Sequence, residues 1–204
     1  IAEVRNVVYA REGDVIQRAS ESFGGQMGLE LLDKNDPIAI SRLNAEVAVR
    51  MLGAQPAPAG EMTVVMCNGW GGVLFHEACG HQMEADFITK GSSAYAGKVG
   101  EQIASPLITA IDDATIPGRR GSFRFDDDGT PAQKTVLIEN GVLKSYMHSK
   151  ETALHFGVTP TGNARAYRFA DEPLVRMRNT AIIPGKDKLA DMISSIEDGY
   201  YLIK

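Results

Sequence analysis

Two periods of hydrophobic patterning run along the chain, and their order predicts its elements. Residues 3–10 and 14–22 alternate apolar with polar positions, the pattern of half-buried strands, with a hairpin turn at Glu12-Gly13. Gly24-Gly25 ends that pair. Asp36 before Pro37 has the chemistry of a helix N-cap followed by proline at the first helical position, and Leu43, Val47 and Met51 then recur every four residues until Gly53. Gln55 to Gly60 reads as a short stiff connector, and Met62 to Cys67 as a continuous apolar run suited to a buried strand. Gly69, Gly71 and Gly72 around Trp70 predict a sharp turn before a helix that starts near Val73.

Further on, residues 87–101 show no period and predict a polar loop that acts as a lid. Leu107 to Ile111 reads as a short strand, while Pro117 to Phe125 and Asp126-Asp127-Asp128-Gly129 read as turns. Lys134 to Glu139 and Val142 to Met147 predict a hairpin about Asn140-Gly141, a pair suited to a type I′ turn because both residues accept positive φ. Ser149 to Phe156 predicts a short helix stopped by Gly157, Thr159 to Arg168 a loop, and Leu174 to Ile183 a strand. Asp187 is positioned to cap a last helix whose Leu189, Met192, Ile193 and Ile196 share a face. Strands outnumber helices and are joined mainly by turns, which predicts an α+β fold: mainly antiparallel sheet with a few packed helices.

Composition narrows the function classes. The 204 residues, 44% hydrophobic and 23% charged, suffice for a substantial core and read as a soluble globular protein. A net charge of -5 and a pI near 5.4 leave no basic footprint for direct nucleic-acid binding. The two cysteines, Cys67 and Cys79, do not make a disulfide framework and fit a reducing compartment. No apolar run approaches the roughly 20 residues of a membrane-spanning helix, so no membrane association is expected and the cytoplasm is the default location. Both ends read as cut, since Ile1 opens directly into a strand-like run and Tyr200 to Ile203 is apolar.

The most informative stretch is His76-Glu77-Ala78-Cys79-Gly80-His81. Neutral imidazoles are common zinc ligands, and a carboxylate beside them can take a proton from metal-bound water, so the combination points to hydrolysis. The histidines are five residues apart rather than the four of the His-Glu-x-x-His motif. On a regular α-helix a spacing of five diverges by roughly 140°, against about 40° for four. Convergence on one metal requires a π-bulge, or a helix that begins or ends inside the motif, and Gly80 favours the second remedy. A helix irregularity between His76 and His81 is therefore expected.

Other candidates have blander readings. His155 lies near a predicted helix end, where contact with terminal carbonyls explains it. His148 follows a strand and is expected in an exposed loop. Residues 126–128 lack the ligand pattern of a calcium loop and read as a solvated turn. Arg119, Arg120, Arg165 and Arg168 offer bidentate donors for a substrate carboxylate, with surface charge as the default reading. The glycines 69, 71 and 72 lack the Lys-Ser/Thr ending of a phosphate loop.

The run Gly72 to His81, followed by Glu84-Ala85-Asp86, resembles the TldD/PmbA family, also called the modulator-of-DNA-gyrase family. Lys90-Gly91-Ser92, Gly97 to Gly100, Arg119 to Ser122, Asp127 to Pro131, Leu137 to Gly141, Thr159 to Asn163 and Arg176 to Thr180 extend the resemblance in order over most of residues 60–204. The TldD-like branch fits better, because its PmbA-like partners generally look to lack the His-Glu-x-x-x-His motif. The resemblance implies a zinc-dependent metallopeptidase acting on unfolded or precursor peptides, with His76 and His81 as metal ligands and Glu77 as the catalytic base. It also implies a related second subunit or a homodimer, and a third ligand, a cysteine, beyond Lys204. Cys79 is a weak substitute for that ligand; Glu84 and Asp86 are closer competitors. The sequence does not identify the oxyanion donor, for which Tyr146 or an arginine in residues 165–168 could serve. Residues 1–35 then read as the end of an N-terminal region, and 36–204 as a core metallopeptidase-like domain incomplete at its C-terminus. The rival reading is a noncatalytic regulatory or scaffolding subunit that binds a partner protein.

Overall fold

A two-residue turn lets the first two strands pair along their full length. In the computed structural model, which describes residues 1–203, β1 (Ala2–Glu12) and β2 (Val15–Gly25) run antiparallel from Ala2 opposite Gly25 to Glu12 opposite Val15. Gly13 takes φ 58, the left-handed conformation that so tight a reversal needs. A short helix, α1 (Glu30–Lys34), follows where the sequence gives no periodic signal. α2 (Pro37–Leu52) starts as expected, because Asp36 Oδ1 accepts from Ile38 N at 2.9 Å and Ala39 N at 3.1 Å.

The buried face of α2 differs from the predicted stripe. Leu43 is 61% exposed, whereas Asn44 and Ala48 are buried against the hairpin. Asn44 Nδ2 donates to Asn6 Oδ1 at 2.7 Å, so a short amide and a small side chain make the contact that larger residues were expected to make. This packing ties α2 to β1 and β2. The first compact unit comprises residues 1–60 with 118–120.

The second unit, residues 61–117 and 121 onward, holds the histidine motif. β3 (Val64–Met66) leads into α3 (Asn68–Phe75), which continues as a π turn over His76–Gly80, a 3₁₀ turn over His81–Met83, and α4 (Ala85–Thr89). Two expectations are corrected here. β3 is short and its Val64 and Met66 are exposed rather than buried, and the glycines 69, 71 and 72 lie inside a helix that already begins at Asn68.

The sheet of this unit is built from β4 (Ala110–Asp113), β5 (Lys134–Glu139) and β6 (Val142–Leu143), all antiparallel. Asn140 at φ 49 and Gly141 at φ 79 make the predicted turn between β5 and β6. α5 (Lys150–Phe156) opens with a reciprocal capping box between Ser149 and Thr152 and stops at Gly157. β7 (Ala164–Arg165) pairs antiparallel with β8 (Leu174–Val175), and β9 (Thr180–Ile182) joins β4 to complete the order β6-β5-β4-β9. α6 (Leu189–Ser194) is capped at Lys188 rather than Asp187, and β10 (Tyr200–Leu202) pairs in parallel with β3. The fold is thus α+β with mostly antiparallel sheet.

Three departures from the expected elements follow from burial and from hydrogen bonds made outside the segments concerned. The expected strand at Leu107 starts at Ala110 instead, where all four β4 residues are buried. The expected strand from Leu174 to Ile183 breaks into β8 and β9, because Met177 N turns to Glu84 Oε1 at 3.3 Å and Arg178 N to Asp112 Oδ1 at 2.8 Å. The expected lid is fastened: Ser93 Oγ donates to Gln82 O at 2.6 Å, Ala94 N to Gln82 Oε1 at 3.1 Å, and Gly100 N to Leu143 O at 2.8 Å. Beneath these segments Met83, Ala85, Leu137, Leu143, Met147 and Val175 form the core. No helix among the described residues is long and apolar enough to cross a membrane.

His148 is buried in this core rather than exposed in a loop, with its ring 5.5 Å from Phe156, 6.2 Å from Tyr146, and Nδ1 3.3 Å from Thr152 Oγ1. Burial pushes its pKa down from 6.5 to about 4. The unfolded chain therefore takes up a proton near pH 6.5 that the folded protein refuses until about pH 4. Its contribution, of order 3 kcal/mol, is complete above pH 6.5 and is lost as the pH falls toward 4. His148→Phe should flatten the urea-unfolding free energy between pH 6.5 and 4 by about that amount; an unchanged slope contradicts the assignment.

Candidate metal centre

A single backbone bond solves the spacing problem of the motif. His81 N donates to His76 O, a bond spanning five residues, and this wider π turn brings the two rings onto one side of the helix. Their centroids lie 4.7 Å apart with planes at 81°. His76, Glu77 and His81 each offer one ligand atom, and these atoms all lie within 4.8 Å of one another. Among the described residues they are a group that could hold a metal ion. Of the two remedies that the sequence allows, the structure uses the π turn.

Gly80 serves a different purpose from the one expected. Its φ of -58 and ψ of -54 are ordinary helical values, so no unusual backbone angle requires glycine. The constraint is steric, since a Cβ at this position would run into Met177 Sδ and approach Met177 Cε to 3.1 Å. Gly80 thus allows the π turn to lie directly on Met177, a buried member of the core.

The surroundings of His76 suit a neutral donor. His76 is half-buried, and burial lowers its pKa first, with repulsion from His81 acting the same way and Glu77 and Asp112 opposing. A ring that resists protonation keeps its lone pair for a metal. Glu77 is exposed, with its Oε2 3.9 Å from His81 Nε2, so its carboxylate can reach solvent and the ligand pair together. These three side chains fit a divalent cation by donor chemistry and convergence.

Around this pair stands a set of groups that sequence reasoning valued differently. Glu84, considered as a ligand, is fully buried and bonded elsewhere: Oε1 lies 3.2 Å from His81 Nδ1 and accepts from Met177 N, while Oε2 accepts from Arg176 Nη1 at 3.2 Å. Burial pushes its pKa up, opposed by His81 above all and then by Arg176 and Met177. Asp86 lies 3.6 Å from Arg176 and outside the ligand group. Cys79 packs against the core, and the Tyr95 hydroxyl has its pKa raised to about 12 by burial first and then by the neighbouring Cys79 thiol. Cys67 precedes α3 at its N-cap.

Tyr146 is unsuited to oxyanion stabilisation, since it is buried and its hydroxyl donates to Tyr95 O at 2.5 Å. His155 lies in the last turn of α5, as its blander reading expects. Residues 126–128 hold the backbone together rather than standing free. Asp126 accepts from Asp128 N, Thr130 N and Ala164 N, Asp127 from Ala166 N, and Asp128 from Lys150 N. Sequence reading missed Asp112 altogether. It accepts from Asn163 Nδ2 at 2.7 Å, Arg178 N at 2.8 Å and Thr180 Oγ1 at 2.7 Å, which offset the upward push of burial on its pKa.

Known proteins agree with this architecture. A family model described as the PmbA/TldA metallopeptidase C-terminal domain matches residues 59–204. A metalloprotease of Methanothermobacter thermautotrophicus is 44% identical over 206 residues, covering 99% of this chain and 45% of its own length. A metalloprotease TldD homolog of Haemophilus influenzae is also 44% identical, over 95% of this chain and 41% of its own. A zinc metalloprotease TldD homolog of Saccharolobus solfataricus is 34% identical, over 97% and 44%. Among solved structures, a candidate modulator of a DNA gyrase from Thermotoga maritima superposes with TM-score 0.80 at 26% identity, over 99% of this chain and 44% of its own. TldE from Thermococcus kodakarensis superposes with TM-score 0.73 at 25% identity, over 98% and 44%. The chain belongs to the TldD/PmbA family of metallopeptidases. It spans about 45% of the length of the first of these relatives.

The packing of Gly80 gives a direct test. Gly80→Ala should destabilise the chain by roughly 1–3 kcal/mol through overpacking against Met177. Adding Met177→Ala should recover part of that loss in a double-mutant cycle, measured by urea unfolding; strictly additive costs would show that the two residues do not collide.

Proposed function

We propose that the complete protein is a zinc-dependent peptidase that hydrolyses unfolded or precursor peptides. The observation that carries this reading is the π turn, which gathers His76, Glu77 and His81 so that their ligand atoms lie within 4.8 Å of one another. In this reading His76 and His81 hold the metal, and a third protein ligand comes from outside this chain. Glu77 is reserved for proton transfer. The similarity to the zinc metalloprotease TldD homolog of Saccharolobus solfataricus supports zinc as the ion.

When bound, zinc would supply Lewis acidity, polarising a peptide carbonyl and acidifying water. The exposed Glu77 carboxylate takes the proton from the attacking water and delivers it to the departing amine. Burial and the neighbouring ring disfavour the charged form of His76. The similarity to TldE supports work alongside a related second subunit, or as a homodimer, and we place that assembly in the cytoplasm.

Glu77→Gln in the complete protein should leave zinc bound, by elemental analysis, while lowering peptide cleavage about 10²- to 10⁴-fold, the usual contribution of a positioned acid–base group. Retained turnover refutes the role given to Glu77. Metal-free protein whose partner binding survives replacement of His76, Glu77 and His81 together would favour a noncatalytic regulatory or scaffolding subunit instead.

A further inference from the structure

We propose that Glu84 is a positioning residue for His81, holding its proton on Nδ1 so that Nε2 presents a bare lone pair to the metal. The inference rests on the metal-site reading above and deepens it. An imidazole can donate through one nitrogen and coordinate through the other, so a ligand ring must be told which is which. In His81 the two nitrogens face different groups. Nε2 is the one 3.9 Å from Glu77 Oε2, on the side where the donor atoms converge, and Nδ1 lies 3.2 Å from Glu84 Oε1. A carboxylate only accepts, so this contact is satisfied by Nδ1–H and not by a bare Nδ1.

The geometry shows that Glu84 is built to stay where it is. Its residue is 0% exposed, and Met83 and Ala85 on either side are equally buried. The backbone around it is pinned to the segment before α5, with Met147 N donating to Met83 O at 2.9 Å and Ala85 N to Met147 O at 3.0 Å. Both oxygens are already engaged by fixed donors, Oε1 by Met177 N at 3.3 Å and Oε2 by Arg176 Nη1 at 3.2 Å. Arg176 is itself tethered, donating to Val175 O at 2.6 Å and lying 3.6 Å from Asp86. A buried carboxylate is costly unless paired and hydrogen-bonded. Here a cation and a backbone amide hold it in place, and Oε1 keeps a further lone pair for the ring of His81.

A purely structural ion pair between Glu84 and Arg176 would also explain the burial, so the test must read the ring. In Glu84→Gln the amide nitrogen has no acceptor to face: turned one way it meets Arg176, turned the other it meets Met177 N and His81 Nδ1–H. In the second orientation the ring can be satisfied only by moving its proton to Nε2, which removes the lone pair from the metal side. Long-range proton–nitrogen NMR of the metal-free full-length protein, labelled at histidine, reports which nitrogen is protonated. We expect His81 as the Nδ1–H form in the wild type and loss of that single form in Glu84→Gln, with His155, in the last turn of α5, as the unchanged internal control. Competition against a chelator should show zinc binding weakened about 10- to 100-fold.

Unchanged His81 signals together with unchanged zinc affinity would overturn the proposal. If Glu84→Gln does not fold, Arg176→Gln decides instead, at a side chain 34% exposed. It should loosen the Glu84 carboxylate, mix the ring forms and weaken zinc, and it overturns the proposal if both readouts stay at wild-type values. The two readings fail separately. A wild type that binds no zinc refutes the metal site while the ring spectra still judge Glu84, whereas tight zinc binding unaffected by either variant refutes only the role given to Glu84.

Discussion

The site depends on one backbone hydrogen bond, from His81 N to His76 O. Had the helix kept its four-residue repeat through the motif, the two rings would diverge by roughly 140° and no single cation could take a nitrogen from each. The wider turn restores convergence, but a lone π turn is less favourable than continued α-helix and needs support from its surroundings. That support is visible on both sides. α3 leads into the turn, a 3₁₀ turn over His81–Met83 leads out, and Met83, Glu84 and Ala85 drop into the core directly afterwards. Gly80 lets the inner side of the turn rest on Met177 without a Cβ between them.

Two buried carboxylates connect this turn to the remainder of the unit. Glu84 and Asp112 draw in successive backbone amides, Met177 N and Arg178 N, from a segment that sequence periodicity assigns to uninterrupted strand. Thr180 and Asn163 complete the shell of Asp112, which leaves that carboxylate well satisfied despite its burial. Networks of this kind are costly when half-satisfied and rigid when complete. Their effect is that a residue more than 90 positions beyond His81 in the chain helps to set the orientation of its ring, through Glu84 and Arg176.

Fold and chemistry carry different information in this family. Structures described as a candidate modulator of a DNA gyrase and as TldE share the backbone at TM-scores of 0.80 and 0.73 with only 26% and 25% identity. Relatives named as metalloproteases reach 44% identity. The architecture by itself does not fix a role, and the proposed hydrolysis rests on particular side chains, two histidines and the carboxylate between them.

Much of the local structure was legible in the sequence because its causes are local. Asp36-Pro37 starts α2, Asn140-Gly141 turns β5 into β6, and Ser149 with Gly157 brackets α5, each through bonds or backbone angles contained within a few residues. The motif itself, and the need for a distorted helix to use it, followed from spacing alone. What the sequence could not decide were choices settled by distant partners. These include the burial of Asn44 and Ala48 in place of Leu43, the fastening of residues 87–101, and the break between β8 and β9. They also include the engagement of Glu84 by groups that lie within hydrogen-bond reach only after the chain has folded. Caps and turns obey short-range stereochemistry and can be read from neighbours. The pairing of a buried charge is set by whichever donors the fold brings to it, and no periodicity along the chain records them.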